Sequence, residues 1–507
     1  MRYLITCFLF CLLLTSAAQK AHVATEEKSP GVGADTGIVD LHCHPSLKMY
    51  LFNKHLWKRH CTGTGINLFP LQIDTRTMSA NTVKGIVATH YLLEGGFVKK
   101  SLVRFLVPLF QAFAPALVDK IEKEDYSNFA QINNMLDILE LQVDEANHRQ
   151  SNVRFRIVKS YTEFEQAMRE GDIPVAHAIE GGHALGRDTA VSVKMVKRQQ
   201  KKMSLARQIR PGAQHEFTLT NNQLDTMPAD KKALYKKYRN TIAPAYNSMV
   251  YPGTDPAIKY IQNLDALAAR GVCMITLCHF LPNDFTDPTE GISPDGKKGF
   301  KAEWGYNPAV NNIRLRPVGE AVVKRMLEIG VIVDLTHTNP ESRRQIFEIN
   351  QKREKPRPLV FSHAGVQGLY NEGNGGDTTN KNYGFYDVSD SEIIRIKECD
   401  GIIGVIPENF WLYACDKKIN NCHCDCSQSI PLIVKTIQYI RKVTGSYKNI
   451  GIGSDFDGLA DASKDLYNPT QYGALIKALR DAKISEENIA AITHTNVLRV
   501  LKNGWGK

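Results

Sequence analysis

The sequence predicts an α/β protein built as a (β/α)8 barrel of the TIM type, with insertions and with a metal site at the carboxyl ends of its strands. Two observations lead to this prediction. Short runs rich in Val and Ile recur along the chain, each followed by a turn and a helical stretch, and nearly every run ends in His, Glu or Asp. Near-continuous apolar strands are typical of parallel sheets buried on both faces. In barrel enzymes, the reactive groups lie at the carboxyl ends of such strands.

The predicted strands share a short core of apolar, often β-branched residues. In chain order they are residues 37–41, 173–179, 272–277, 331–335, 358–361, 401–405 and 449–453. A doubly wound open sheet is the alternative architecture. Its usual glycine fingerprint, G-x-G-x-x-G after an early strand, does not occur in this sequence.

The start of the chain is typical of a secretory signal. Arg2 precedes an apolar stretch over residues 3–14, and small residues at 16–18 predict cleavage before Gln19. The alternative is a membrane anchor, but the apolar stretch is short for a spanning helix. We therefore expect an exported protein, periplasmic or extracellular, with no transmembrane segment after cleavage.

After the signal peptide at 1–18 and a flexible lead-in at 19–36, we expect one domain over residues 37–507, with insertions at about 102–150 and 187–257. The first insertion contains an apolar run that is too short to span a bilayer. A core helix is the simpler interpretation of that run, and a lid or a contact in a homodimer is the alternative.

The second insertion is strongly basic. Between Arg187 and Arg239 there are 13 Lys and Arg against 4 Asp and Glu, a net +9 in a chain whose formal charge is +10. No aromatic residues alternate with the basic ones and no nucleic-acid motif is present. The segment is therefore interpreted as a solvated excursion, with binding to an acidic surface as the alternative, and no nucleic-acid partner is expected.

Cysteine use agrees with export. Of 11 cysteines, Cys7 and Cys11 would leave with the signal peptide and nine would remain. The cluster at positions 415, 422, 424 and 426 favours disulfides in an oxidising compartment. A zinc site that includes His423 is the alternative. The odd number implies a free thiol, for which a buried Cys273 is a candidate.

The first candidate site residues are His42 and His44. Residues two apart on a strand project to the same side, as two ligands of one metal must. Glu180 follows a buried strand and precedes Gly181 and Gly182, which let the backbone approach a neighbour closely. Its two oxygens could bridge two cations.

Later strands each deliver a further polar side chain. His337 and His363 end two hydrophobic strands, and neutral imidazole is a good zinc ligand. His279 ends another strand, and Asp455 lies at the mouth of the last one. Four His and one Glu would thus hold two metal ions. Asp455 would be left for proton transfer, and His279 for stabilising the oxygen that becomes negative.

These motifs, in this order, resemble those of the membrane dipeptidase (renal dipeptidase) family, peptidase family M19, within the amidohydrolase superfamily. The resemblance covers about residues 37–93, 171–186 and 258–500, and its most specific parts are 179–183 and 454–458. It implies a (β/α)8 barrel with two zinc ions that hydrolyses small dipeptides and often forms homodimers.

Residue by residue, the resemblance implies that His42 and His44 bind one zinc, that His337 and His363 bind the other, and that Glu180 bridges them. Asp455 matches the catalytic acid/base of the family. His279 matches its substrate-contacting histidine.

Two positions depart from the family pattern. The first motif of the family is His-x-Asp, but here it is His42-Cys43-His44, which removes one negative charge from the site. The family often has an Arg-Asn pair that binds the substrate carboxylate, for which the nearest match is Lys381-Asn382. Lysine supplies charge without the bidentate fork of arginine.

The predicted function is therefore that of a zinc-dependent dipeptidase that uses a water molecule activated by two metal ions. A related binuclear hydrolase that acts on another amide, an ester or a lactam fits the same ligand set. The third alternative is a non-catalytic binding protein on the same fold, which the loss of a metal ligand would favour.

Overall fold

The structure is a computed structural model of the 507-residue chain. It describes residues 37–57, 71–78, 83–93, 128–149, 153–186, 227–233, 256–280, 283–289, 315–369, 387–408, 412, 428–458 and 463–506. The predicted signal peptide, the lead-in, most of both predicted insertions and the 415–426 cysteine cluster lie outside these residues.

Within these described ranges, nine parallel strands form one sheet, and almost all of their residues are buried. They are β1 (Ile38–Cys43), β2 (Val83–Tyr91), β3 (Phe155–Val158), β4 (Ile173–Glu180), β5 (Val272–Thr276), β6 (Ile332–Asp334), β7 (Val360–Ala364), β8 (Ile402–Val405) and β9 (Ile450–Ile452). The high proportion of Val and Ile agrees with burial on both faces.

Eight of the strands close into a barrel, which confirms the predicted (β/α)8 architecture. Their order is β2-β1-β9-β8-β7-β6-β5-β4, and β2 pairs with β4 to complete the ring. The short strand β3 is additional. It pairs with the first half of β4, through Ile173–Ala176, and β5 pairs with the second half.

Helices follow most of the strands and cover the barrel. They are α1 (Pro45–Phe52), α2 (Asn128–Arg149), α3 (Tyr161–Arg169), α4 (Pro256–Ala269), α5 (Pro317–Ile329), α6 (Pro340–Gln351), α7 (Asp390–Glu398), α8 (Ile430–Thr444), α9 (Tyr472–Asp481), α10 (Glu486–Ala490) and α11 (Asn496–Gly504). Among the described residues, no helix is both long and apolar enough to cross a membrane.

Local sequence signals explain where several helices begin and end. Ser160 caps α3 and Asn339 caps α6, each accepting a hydrogen bond from a backbone N–H in the first turn. Ser389 and Glu392 form a reciprocal capping box at the start of α7. Gly330 ends α5 with a φ of 77°, a conformation that glycine adopts without a steric penalty.

Two apolar layers hold the barrel together. The larger lies between the strands and the surrounding helices. The smaller includes Val39, Leu41, Met274, Ile332 and Val360 from the strands, together with residues of α3 and α11. On three strands, a polar residue lies two positions after a member of this smaller layer, the members being Met274, Ile332 and Val360. Towards the carboxyl end of these strands, the apolar layer is therefore followed by a polar one.

Seven predicted strands correspond to β1 and β4–β9, with ends that differ by a few residues. The strands β2 and β3 were not predicted. Within the predicted insertion at 102–150, residues 128–149 form α2, which packs against β2 and β3. That part of the segment therefore belongs to the helical layer of the barrel.

Candidate metal centre

The first two histidines converge at the end of β1, although only His42 belongs to the strand. The strand has a register irregularity between Asp40 and Cys43, and His44 follows it as the residue before α1, with φ −114° and ψ 52°. The Nε2 atoms of His42 and His44 lie 3.0 Å apart. The two rings therefore project to one point, although the prediction had placed both histidines on the strand.

Glu180, the last residue of β4, lies at the centre of the cluster and is 2% exposed. One or other of its carboxylate oxygens lies near five imidazole Nε2 atoms: His337 at 3.2 Å, His44 at 3.4 Å, His363 at 3.5 Å, His279 at 3.6 Å and His42 at 3.8 Å. Glu180 Oε1 has no hydrogen-bond partner among the residues that the structure describes. A buried carboxylate oxygen in this state suits coordination to a cation.

The glycines after Glu180 are explained by packing inside the protein. Gly181 has a φ of 96°, and a Cβ there would lie 2.4 Å from the His183 ring. A Cβ on Gly182 would lie 2.3 Å from the Phe285 ring. The close approach predicted for this turn is therefore to these two side chains, and His183 Nε2 is in turn hydrogen-bonded to the Leu92 carbonyl at 2.9 Å.

His337 and His363 come from the turn after β6 and from β7. Their Nε2 atoms lie 3.1 Å apart. His337 has a φ of 61°, a left-handed conformation that is uncommon for residues other than glycine. Backbone strain of this kind is concentrated at functional sites.

Asp455 follows β9 and has a φ of 53°. Its Oδ1 lies 2.7 Å from His44 Nε2 and 3.7 Å from His42 Nε2, and its side chain is 16% exposed. Asp455 is thus more accessible than Glu180, yet close enough to the first histidine pair to act as a further ligand.

In the part of the chain that the structure describes, three groups of side chains could each hold a metal ion, with the ligand atoms of each group within 4.8 Å of one another. They are His42, His44 and Asp455; His42, Glu180 and His363; and Glu180, His279 and His337. In a tetrahedral zinc site with Zn–N distances of about 2.0–2.1 Å, ligand atoms lie roughly 3.4 Å apart. The observed Nε2 separations and the imidazole–carboxylate chemistry therefore fit one or more divalent ions.

His279 was predicted as a catalytic and substrate-contacting residue, and not as a metal ligand. The structure places it within one of the three donor groups as well. Its ring lies 4.4 Å from that of Tyr91 and 3.7 Å from that of Phe280, measured between centroids. Tyr91, at the end of β2, is a site residue that the sequence analysis missed because β2 was not predicted.

Most of the imidazoles are held in the neutral form that binds metals. Burial lowers the pKa of His337 to about 4 and that of His363 to about 3. Burial and the neighbouring histidines lower the pKa values of His42 and His279 far below the usual range. Neutral imidazole offers the lone pair that a metal requires.

The two carboxylates differ in their electrostatics. Burial raises the pKa of Glu180 well above its usual value, so a nearby cation would favour its ionised form. Burial also acts against ionisation of Asp455 and of His44, but their mutual attraction outweighs it. The pKa of Asp455 is lowered and that of His44 is raised.

Two further aspartates order the loops around the cluster. Asp40 accepts a hydrogen bond from the hydroxyl of Ser454, the residue before Asp455, at 2.5 Å. It accepts another from the Tyr472 hydroxyl at 2.8 Å. Burial raises the pKa of Asp40 to about 6.

The second is Asp457. It accepts hydrogen bonds from the backbone N–H groups of Gln72 and Ile73, at 2.9 and 3.1 Å, and pairs with Lys48 at 2.9 Å. The sequence motif contained Asp457, but nothing in it indicated that this carboxylate is hydrogen-bonded to a loop 384 residues earlier in the chain.

The structure thus brings together seven predicted residues at the carboxyl ends of β1, β4, β5, β6, β7 and β9: His42, His44, Glu180, His279, His337, His363 and Asp455. Lys381 and Asn382, the predicted contacts to substrate, lie outside the described residues. Within the described residues, Cys273 is a buried thiol outside any disulfide, as expected of one cysteine, and so are Cys43 and Cys399.

A closed (β/α)8 barrel with a buried histidine–carboxylate cluster at the carboxyl ends of its strands defines a protein of the metal-binding hydrolase type. Residues 220–504, more than half of the chain, match the membrane dipeptidase family, peptidase family M19. The chain belongs to this family, as the sequence motifs predicted.

Individual relatives agree with this placement. The chain is 32% identical over 232 residues to an uncharacterised dipeptidase of Schizosaccharomyces pombe, and the aligned region covers 46% of each chain. It is 31% identical over 189 residues to a dipeptidase of Aspergillus oryzae, and that aligned region covers 37% of this chain and 38% of the relative. The matches therefore span less than half the length of these two relatives.

Among solved structures, a metallopeptidase from Rhodobacter sphaeroides, liganded with a phosphinate mimic of the dipeptide L-Ala-D-Ala, superposes with a TM-score of 0.54. The likeness covers 93% of this chain and 100% of that one at 14% sequence identity. This agreement supports the barrel fold.

Proposed function

We propose that this protein is a metal-dependent dipeptidase that hydrolyses the amide bond of small dipeptides with two divalent metal ions, of which zinc is the best candidate. The observation that carries the proposal is the convergence of five imidazole Nε2 atoms on Glu180, each within 3.8 Å of one of its oxygens. Imidazole with carboxylate is a donor set that suits zinc.

Each side chain has a position in this account. Glu180 would bridge the two ions, because its carboxylate belongs to two of the donor groups. His42 and His44, with Asp455, would hold one ion, and His337 and His363 would hold the other. Two such ions supply a nucleophile at neutral pH and polarise a carbonyl group.

Asp455 is the best placed group for proton transfer. It is the more exposed of the two carboxylates, and its lowered pKa keeps it ionised and able to accept a proton. Asp455 Oδ2 would take the proton of the attacking water and deliver it to the leaving amine. His279 would lie beside the oxygen that becomes negative.

Dipeptides are favoured as substrates by family membership and by the dipeptide mimic bound to the Rhodobacter metallopeptidase. Lys381 and Asn382 remain our candidates for contacts to the substrate carboxylate. We further propose that the protein is exported after cleavage before Gln19, and that a homodimer is its assembled form.

Amine release from a panel of L-L and L-D dipeptides, with tripeptides and a β-lactam for comparison, tests the proposal. Zinc-loaded protein should cleave dipeptides, should not cleave tripeptides, and should lose activity to a chelator. Cleavage of the lactam alone would replace the dipeptidase assignment with that of another amide hydrolase. Metal binding without hydrolysis of any substrate would favour a binding protein.

A further inference from the structure

We propose that Ser362 is a positioning residue shared by both metal ions, whose hydroxyl fixes the tautomer and the orientation of His42 and of His363 at once. Ser362 lies on β7 directly before His363, and its side chain is fully buried. The inference rests on the proposed binuclear metal site, since it concerns how the protein presents two of its ligands.

The geometry around the hydroxyl is tight. Ser362 Oγ lies 2.9 Å from His42 Nδ1 and 3.0 Å from His363 Nδ1. It also lies 2.6 Å from Asp334 Oδ2. One oxygen atom therefore contacts two ligand imidazoles from different strands and one carboxylate.

Counting protons determines the tautomers. A serine hydroxyl has one proton to donate and two lone pairs that accept. The carboxylate of Asp334 can only accept, and at 2.6 Å it is much closer to Ser362 Oγ than the Thr336 hydroxyl is at 3.4 Å, so the Ser362 proton points to Asp334 Oδ2. Each imidazole must then donate from Nδ1–H to Ser362 Oγ, which leaves both Nε2 lone pairs directed at the metal cluster.

Asp334 is itself fixed by five donors, which keeps the Ser362 hydroxyl in one orientation. They are Thr276 Oγ1 at 2.5 Å, Ser362 Oγ at 2.6 Å, Thr336 Oγ1 at 2.8 Å, Ser362 N at 3.0 Å and Thr336 N at 3.1 Å. A fully satisfied buried network of this kind is rigid. The polar layer beneath the cluster thus fixes the orientation of two of its ligands, His42 and His363.

The other ligands do not share this support. Within the described part of the chain, His44 Nδ1 and His279 Nδ1 have no hydrogen-bond partner. Partners on the far nitrogen of a metal-binding imidazole set its tautomer and typically change metal affinity 10- to 100-fold. Ser362 is placed to do this for His42 and His363, which we assign to different ions.

The test compares two buried hydroxyls that both donate to Asp334 Oδ2. Ser362→Ala removes the hydroxyl that touches the imidazoles. Thr276→Val, the matched control, removes the donor at 2.5 Å, a hydroxyl that has no hydrogen bond to either ring among the described residues. Zinc dissociation constants for both sites are measured by chelator competition on the full chain, and the visible spectrum of the cobalt-substituted protein reports ligand geometry.

We expect Ser362→Ala to weaken both zinc sites by about 10- to 100-fold and to change the cobalt spectrum. The Thr276→Val variant should keep the wild-type spectrum and bind zinc more tightly than Ser362→Ala at both sites. Ser362→Thr retains the hydroxyl and should preserve the wild-type spectrum, which keeps the test informative if the alanine variant folds poorly.

Equal affinities in Ser362→Ala and Thr276→Val would overturn the inference, and weakening of only one zinc site would overturn the shared role. Both results leave the dipeptidase proposal intact, because the wild-type protein would still bind two ions. A wild-type chain that binds no zinc would instead contradict the proposed function and this inference together.

Discussion

Two pairs of histidines in the same cluster are held in different ways. His42 and His363, the anchored pair, have their Nδ1 atoms within 3.0 Å of the Ser362 hydroxyl. His44 and His279, the unanchored pair, have no hydrogen-bond partner for Nδ1 among the described residues. All four direct Nε2 towards Glu180.

The difference explains where the cluster can change. Replacing an anchored histidine removes one of the two imidazole donors to the buried Ser362 oxygen, and leaving a buried acceptor without its donor is costly. Replacing an unanchored histidine removes no hydrogen bond at Nδ1 among the described residues. His44 is also the position at which the sequence departs from the family's His-x-Asp motif, so the departure falls on a ligand that is held through Nε2, by Asp455 at 2.7 Å, and not through Nδ1.

Glu180 faces both pairs, and its removal should have the largest effect. Glu180→Ala should abolish detectable hydrolysis and release both metal ions, because it removes the oxygens that we propose to bridge them. Metal content after desalting, measured by atomic emission, checks the release. Glu180→Gln keeps the shape and removes the charge, so it serves as the control for packing. Retention of two ions in Glu180→Ala would refute the bridging role.

Asp455 lies beside the unanchored His44 and should matter chiefly for turnover. Asp455→Asn should lower kcat by about 10²- to 10⁴-fold, the usual contribution of general acid–base catalysis. Metal on the His337–His363 side should stay bound, because Asp455 belongs to the His42–His44 group. Steady-state kinetics at saturating zinc separates the two effects, and a rate near that of the wild type would rule out the proton-transfer assignment.

Replacing one histidine of each pair by the family's carboxylate tests the comparison directly. His44→Asp should keep zinc affinity within about tenfold, whereas His42→Asp should lose more than about 100-fold because the Ser362 contact is lost as well. Chelator competition measures both constants, and circular dichroism verifies that both variants fold. Equal losses would mean that anchoring by Ser362 does not distinguish the two pairs.

The last prediction concerns the pH dependence of stability at a buried carboxylate near β7, the strand that carries the anchored His363. Asp387 is buried. The next residue in the chain, Val388, pairs with Val366, which lies just after the end of β7. Burial, partly offset by the charge of Arg343, raises the pKa of Asp387 to about 8. An unfolded aspartate has a pKa of about 3.9.

Between these two values the folded protein keeps a proton that the unfolded chain releases. The contribution of this group to stability is therefore complete below the unfolded pKa and is lost as the pH rises towards 8, by at most about 1.4 kcal/mol per pH unit. Asp387→Asn should flatten the fall in chemical-denaturation stability from pH 5 to pH 8. Asp481→Asn, at an exposed aspartate, is the control and should leave it unchanged.

The barrel and most of the cluster could be predicted from sequence for one physical reason. Parallel strands end at the same edge of the sheet, so polar residues that follow separate apolar runs must meet there. This argument placed His42, Glu180, His337 and His363 together without any knowledge of the strand order.

Other features could not be predicted, because they depend on contacts between distant parts of the chain. The role of Ser362 requires that β1 and β7 approach across the barrel, and that of Asp457 requires the loop at 71–78 to dock on it. The strand β2 was missed because its apolar run is interrupted by Lys84 and Gly85. The irregularity that takes His44 off β1 left no recognisable signal in the sequence.

The most direct test of the account is a zinc titration of metal-free protein, with hydrolysis of one cleaved dipeptide measured at each step. A bridged two-ion site predicts that activity develops as zinc is added and reaches its maximum at two ions per chain. Full activity without bound metal, or a maximum at one ion with no gain from a second, would contradict the binuclear centre built around Glu180.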